Sequence, residues 1–258
     1  MTEPSVIVLL TDFGNDPYTG IIKGRILQIN PVATIISLTN HIEKHAIRQG
    51  AFILQKSYKY FPPKTIFLVV VDPGVGSLRK ALVAQTENYF FIAPDNGILS
   101  PIISHTAAPT IIELPIPSYA SSTFHGRDVF APAAAKLSLN YPLEDLGIRT
   151  TLETKLGFFY DRGSHTGEVI FIDEFGNIIT NIPKFYEISV NDQFILSTGQ
   201  KKLKMDFKPT YSEGSTHEPF LVLSSFETLE ITIREGRACD LVPIPPGDRV
   251  TITPFSGH

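Results

Sequence analysis

Val69-Val70-Val71-Asp72-Pro73-Gly74-Val75-Gly76-Ser77-Leu78-Arg79 passes from an unbroken apolar run into an aspartate, a glycine-rich turn and an arginine. The run reaches back to Thr65, and its lack of alternation predicts a strand buried on both faces, as in a parallel sheet covered by helices. An α/β protein delivers charge to a ligand at the carboxyl end of such a strand, which makes Asp72 and Arg79 the first candidates for chemistry. Three further blocks share the pattern: Leu9-Leu10-Thr11-Asp12-Phe13-Gly14, Thr123-Phe124-His125-Gly126-Arg127-Asp128 and Phe171-Ile172-Asp173-Glu174-Phe175-Gly176-Asn177. Each alone reads equally well as a strand-end turn. Four in one chain read as one constellation.

Outward from that stretch, strand and helix alternate to about Tyr160. Ser5 to Leu10 reads as a strand, followed by a helix capped by Asp16, opened by Pro17, carrying Ile21, Ile22, Ile26 and Ile29, and ended by Asn30-Pro31. Thr34 to Leu38 reads as a strand, Glu43 to Tyr60 as a helix, and Ala81 to Thr86 with Tyr89 to Ala93 as a hairpin through Glu87-Asn88. A helix with Val129, Ala133 and Leu137 on one face is predicted after Phe124-His125-Gly126. Beyond the segment Thr150 to His165 the apolar runs Glu168–Ile172, Asn177–Ile182, Gln193–Leu196, Pro219–Leu223, Leu229–Ile233 and Arg249–Thr253 are short and separated by Gly, Pro, Asn or Ser. The expected organisation is an α/β domain with a central sheet over residues 1–160 and a smaller β-barrel domain over residues 161–258.

The chain has 258 residues, 43% hydrophobic and 19% charged, enough to bury a sizeable core. A net charge of −4 without a Lys/Arg cluster argues against nucleic acid or an acidic membrane as partner. The single cysteine, Cys239, excludes an intramolecular disulfide and a cysteine-rich zinc site. No basic leader followed by a long apolar segment is present, and no run approaches the ~20 apolar residues of a membrane span. A cytoplasmic protein is expected.

Neither a P-loop nor a Gly-x-Gly-x-x-Gly after the first strand is present. His41 and His45 stand at i and i+4, read as a solvated helix face because no third ligand accompanies them. His125, next to Gly126 and before a predicted helix, can accept or donate a proton near neutral pH. Asp72 and Arg79 would supply the acceptor and the cation to orient a water and stabilise developing hydroxide. Phe13, Phe124 and Phe175 can stack on a base or face a cation, although core packing is the default among 18 phenylalanines.

The blocks Thr11-Asp12-Phe13-Gly14, Asp72-Pro73-Gly74-Val75-Gly76 with Arg79, Ala93-Pro94-Asp95-Asn96-Gly97, Phe124 to Pro132 and Asp173 to Asn181 closely resemble the S-adenosyl-L-methionine hydroxide adenosyltransferases. These are also called S-adenosylmethionine hydrolases and are related to the fluorinases and chlorinases. The resemblance spans nearly the whole chain in order. It implies an N-terminal α/β domain, a C-terminal β-barrel, no cofactor or metal, and a homotrimer with sites between the N-domain of one chain and the C-domain of the next. It also implies that Asp72, Arg79 and His125 position and activate water, and that Asp12 holds the ribose hydroxyls. Phe175 and Asn177 match the aromatic and amide that hold adenine, and Asp173 matches the acid near the methionine amine. Ser225 and Glu230 fall in the substrate-holding region of the barrel, and Phe13, Phe124 and Gly126 join the substrate site.

The implied reaction is attack of water or hydroxide on the ribose 5′ carbon, giving adenosine and methionine, with the R-sulfonium epimer a possible substrate. A chlorinase-like use of halide is the nearest alternative. The halogenating relatives lack the Asp, Arg and His set, and the fluorinases carry a serine where this chain has Gly126. A non-catalytic module binding S-adenosylmethionine or adenosine would leave Asp72, Arg79 and His125 without a purpose. A metal-dependent phosphohydrolase would need clustered ligands that the sequence does not display.

Overall fold

A first strand, β1 (Val6–Thr11), buries its residues almost completely, and in the computed structural model it lies second from one edge of a seven-stranded sheet. Residues 6–185, 189, 192–199 and 201–255 are described by the structure. The chain divides into two compact units, Met1–Gly157 and Phe158–His258.

In the first unit β1 is followed by α1 (Tyr18–Ile29), β2 (Thr34–Thr39), α2 (Ile47–Ser57), β3 (Ile66–Val70), β4 (Ala81–Gln85), β5 (Phe90–Pro94), α3 (Ser100–Ile103), β6 (Thr110–Glu113), α4 (Ala131–Ser138) and β7 (Ile148–Arg149). The sheet order is β2-β1-β3-β5-β4-β6-β7. β1 pairs parallel with β2 and β3, and β3 pairs parallel with β5. The remaining pairs are antiparallel, β4 and β5 forming the expected hairpin. Ile22 and Ile26 of α1 and the alanines of α4 pack with Ile7, Leu9, Leu68 and Val70 on one face. On the other face Gly50 of α2 stands so close to Leu10, Val71 and Ile98 that an added Cβ would touch all three. Helices on both faces explain why β3 is buried along its whole length.

In the second unit β8 (Thr166–Ile172), β9 (Ile178–Pro183), β10 (Gln193–Thr198), β11 (Lys201–Asp206), β12 (Phe220–Leu223), β13 (Thr228–Thr232), a short α5 (Ala238–Leu241) and β14 (Arg249–Pro254) form an antiparallel sheet ordered β11-β10-β14-β8-β9-β13-β12. A bridge from Phe207 to Leu221 brings its two edges together, so the sheet is nearly closed as a barrel. Val169, Ile178, Phe194, Leu196, Leu221, Ile231 and Ile252 fill the interior.

Local expectations fail in a few places, each with a physical cause. Pro17 is the N-cap of α1 rather than its first residue, and no side chain caps that helix. α2 begins at Ile47, four residues after Glu43, and its last predicted turn, Tyr58–Tyr60, is 3₁₀. His45 has φ +67°, outside the helical region, so His41 and His45 do not share a helix face. The helix after His125 opens with a π-helical turn, Gly126–Phe130, before α4. Strand β11 is absent from the apolar reading because Lys201, Lys202 and Lys204 occupy it. Charged residues there suit a sheet edge that must not pair with another chain.

Candidate active site

β1 and β3 are parallel neighbours with Thr11 opposite Val70, so the chain leaves the same edge of the sheet at Asp12 and, one residue beyond Val71, at Asp72. β2 lies beyond β1 and β5 beyond β3, so the order of strands reverses between β1 and β3. Such a switch point opens a crevice at the carboxyl ends of the strands. A cavity of about 200 Å³ lies there, lined by Asp12, Phe13, Asp72, Phe124, His125 and Gly126. The structure therefore brings three of the four polar blocks together within the first unit.

Arg79 lies behind this wall and joins two of its members. Its Nε donates to Asp72 Oδ1 at 2.9 Å and its Nη2 to Asp72 Oδ2, a two-pronged charge-assisted contact. The same Nη2 lies 2.9 Å from His125 Nδ1, and Nη1 donates to the carbonyl oxygen of Lys80 at 3.3 Å. The Arg79 and Asp72 side chains are only 8% and 5% exposed, so both charges are balanced by each other rather than by water.

A guanidinium has donors and no acceptor, so Nδ1 of His125 must offer its lone pair and the ring proton resides on Nε2. Burial pushes the His125 pKa below its ordinary value, and the positive charge of Arg79 pushes it further. The ring is thus neutral and offers Nε2–H as a donor, while Asp72 is the acceptor of the pair. This division of roles suits holding a water between a donor to its oxygen and an acceptor for its proton. It leaves His125 a poor general base.

Glycines set how closely these parts approach. Gly76, at φ +80°, packs against the backbone of Ser122, where an added Cβ would lie 2.3 Å from the carbonyl oxygen. This docks the Asp72–Arg79 loop onto the segment leading to His125. Asp12 accepts the backbone N–H of His45 at 3.0 Å, and Phe13, Tyr18 and Phe124 form a ring cluster with centroids 5.4 to 6.0 Å apart. Lys44, His45 and Tyr18 also line the cavity, although the sequence marked none of them as site residues. Only the strained backbone at His45 distinguishes it, and that is invisible in sequence.

The remaining predicted residues lie in the second unit. In the turn between β8 and β9, Asn177 donates its backbone N–H to Asp173 Oδ1 at 2.8 Å and its Nδ2 to Asp173 Oδ2 at 3.0 Å. Thr232 Oγ1 donates to Asn177 Oδ1 at 2.5 Å. Glu230 is 3% exposed and accepts the Tyr211 hydroxyl at 3.0 Å. Burial pushes its pKa up to about 7, the nearby negative charge of Asp173 acting in the same direction and the Tyr211 hydrogen bond opposing both. Burial and the negative charge of Glu230 in turn raise the Tyr211 hydroxyl. Phe175 is 76% exposed, an unusual position for a large apolar ring. Ser225 is exposed in the β12–β13 turn, and no hydrogen bond joins it to this cluster among the described residues. Tyr211 and Thr232 carry no motif that the sequence could have flagged.

Models of the SAM hydroxide adenosyltransferase family match the chain twice, its N-terminal domain over residues 7–147 and its C-terminal domain over residues 167–251. This chain belongs to that family. Among curated relatives, (R)-S-adenosyl-L-methionine hydrolase of Methanocaldococcus jannaschii is 41% identical over 244 residues, covering 86% of this chain and 88% of that protein. The protein of the same name from Thermus thermophilus is 31% identical over 255 residues, covering 93% and 96%. A fluorinase from an Actinoplanes species is more distant, 22% identical with 96% and 97% covered. An uncharacterized conserved protein from Thermotoga maritima has a solved structure with a TM-score of 0.90 at 35% identity, covering 96% of this chain and 100% of that one. Within the family, the Asp72–Arg79–His125 contact is the part of the site whose chemistry the geometry specifies most fully.

Proposed function

We propose that this chain hydrolyses S-adenosyl-L-methionine to adenosine and L-methionine, with a preference for the R configuration at sulfur. The observation that carries the reading is the contact of Arg79 with both Asp72 and His125 at the wall of the switch-point cavity. Relatives named as (R)-S-adenosyl-L-methionine hydrolases at up to 41% identity support the substrate and its epimer. A water held by His125 Nε2–H and Asp72 attacks the ribose 5′ carbon. As the new C–O bond forms, the C5′–S bond breaks, its electron pair returns to sulfur as the neutral thioether of methionine, and the water's proton passes by way of Asp72 to solvent. Cancelling the sulfonium charge is favoured where water is scarce, and holding the reactants in line is worth on the order of 7 to 11 kcal/mol. No cofactor enters this scheme.

Asp12 is assigned to the ribose diol, with Phe13, Phe124 and Gly126 shaping the cavity. Asp173, Phe175, Asn177, Ser225 and Glu230 are assigned to the adenine and methionine ends. The cavity of about 200 Å³ is smaller than the ~300 to 1,000 Å³ typical of ligand pockets, so it suits part of the substrate only. That, with the exposed Phe175, supports an assembly in which neighbouring chains share each substrate, and we assign it as the homotrimer that the family resemblance implies, in the cytoplasm. Incubating the protein with each sulfonium epimer and separating the products by chromatography tests the reaction. Adenosine and methionine are expected, fastest from the R epimer; 5′-halo-adenosine in the presence of halide, or tight binding without turnover, would overturn the reading.

A further inference from the structure

Asp72 and Arg79 stand at the two ends of one loop, and both ends are held from the same neighbouring strand end. Asn96 Nδ2 donates to the carbonyl oxygen of Val71, the residue before Asp72, at 2.8 Å. The backbone N–H of Asp95 donates to the carbonyl oxygen of Lys80, the residue after Arg79, at 2.9 Å. That carbonyl also accepts Nη1 of Arg79. The strand end is itself braced: the buried Asp95 carboxylate accepts the backbone N–H groups of Glu153 and Thr154 at 3.0 and 3.1 Å. Gly97, at φ +94°, packs so closely on Leu156 that an added Cβ would lie 2.9 Å from that residue's Cβ. None of Pro94, Asp95, Asn96 and Gly97 lines the cavity.

The β3–β5 ladder ends at the pair Leu68–Ile92, so the chain from Val69 onward has no register partner in β5. Val71 is nonetheless fully buried, and its carbonyl needs a donor. The Asn96 amide supplies it and so extends the ladder by one bond, while its Oδ1 accepts the N–H of Ile98 at 3.2 Å and closes the turn.

We infer that Asn96 is a positioning residue for the reaction: by holding the Val71 carbonyl it fixes where Asp72 leaves β3, and hence the alignment of Asp72 and Arg79 on His125. The inference rests on the water-activating role assigned to those three residues. Asn96 touches no part of the cavity, so its removal should act on turnover and leave substrate affinity alone. A shift of about 1 Å in a reacting group costs on the order of 10²-fold in rate.

The test compares kcat, KM and melting temperature for Asn96→Ala, Asn96→Asp and Asp72→Asn, each as the full chain, across pH. Asn96→Ala should lower kcat about 10- to 100-fold with KM within about twofold of the parent, on the same misplacement argument. Asn96→Asp keeps the acceptor for Ile98 and loses the donor, except when its carboxyl is protonated and can again donate to Val71. Its kcat relative to the parent should therefore recover as pH falls, which a purely structural loss would not produce. Normal kcat in Asn96→Ala beside a slow Asp72→Asn overturns the inference alone, as does a kcat ratio for Asn96→Asp that does not change with pH. Normal kcat in Asp72→Asn removes the water-activation reading and this inference with it. If Asn96→Ala does not fold, the pH-dependent ratio for Asn96→Asp decides.

Discussion

Nη2 of Arg79 lies 2.9 Å from Nδ1 of His125 although the two residues are 46 positions apart, and this single contact sets the tautomer of the ring. Burial lowers the pKa of His125, and Arg79 lowers it further, since protonating Nδ1 would point an N–H at a guanidinium. In the proposed mechanism the neutral ring is the working form. Turnover should be flat through neutral pH and fall only below the ordinary histidine value of about 6.5. A kcat profile whose acid limb lies at or above that value contradicts the assignment.

Asp72→Asn, which removes the proton acceptor, should slow single-turnover hydrolysis by roughly 10²- to 10⁴-fold, and Arg79→Ala and His125→Ala, which remove the groups that hold Asp72 and the water in place, by on the order of 10²-fold or more. Because Arg79 holds both partners, the pair Asp72→Asn with His125→Ala should lose much less than the product of the single losses. Substrate affinity and melting temperature measured on the same proteins separate chemistry from folding. Near-normal turnover in a well-folded His125→Ala protein would remove it from the mechanism.

Asp12→Ala should act on binding. Loss of charge-assisted hydrogen bonds to a ribose diol weakens affinity by about 1.5 to 3 kcal/mol when they are buried, and the half-buried position of Asp12 favours the lower end. Calorimetry with a slowly turning-over variant, such as His125→Ala, as background measures it. Unchanged affinity would exclude Asp12 from the site.

Glu230 couples the second unit to pH. Its folded pKa of about 7 lies above the ordinary value near 4.3, so the folded state holds a proton that the unfolded chain releases. The stabilising effect is complete below about pH 4.3 and is lost as pH rises toward 7, a difference on the order of 3 kcal/mol from the size of the shift. Glu230→Gln, which cannot ionise, should flatten this dependence and gain stability relative to the parent as pH rises. Denaturant midpoints at pH 5 and pH 8 check it; equal changes in both proteins would show that Glu230 titrates normally.

The proposed homotrimer is tested by complementation. Mixing Asp72→Asn chains with Asn177→Ala chains should restore part of the activity, because some mixed assemblies would pair two intact contributions. Verified mixed trimers without recovery would mean that each chain carries a complete set.

What the amino-acid sequence determined by itself was local in origin. The unbroken run from Thr65 to Val71, the short apolar runs after residue 165 and the charged blocks at Asp12, Asp72, His125 and Asp173 follow from hydrophobic pattern and turn chemistry, which act over a few residues. They were enough to place an α/β unit before a β-barrel and to single out Asp72, Arg79 and His125 as candidates. Tertiary structure decided the rest. The register of Thr11 against Val70 puts Asp12 and Asp72 on one edge, the bond from Asn96 to Val71 fixes the loop, and the closeness of Gly76 to Ser122 brings His125 to Arg79. His45 takes its strained conformation where its N–H meets Asp12, 33 residues away. Hydrogen bonds of this kind depend on angstrom-scale distances between segments far apart in the chain, and no periodicity within one segment encodes them.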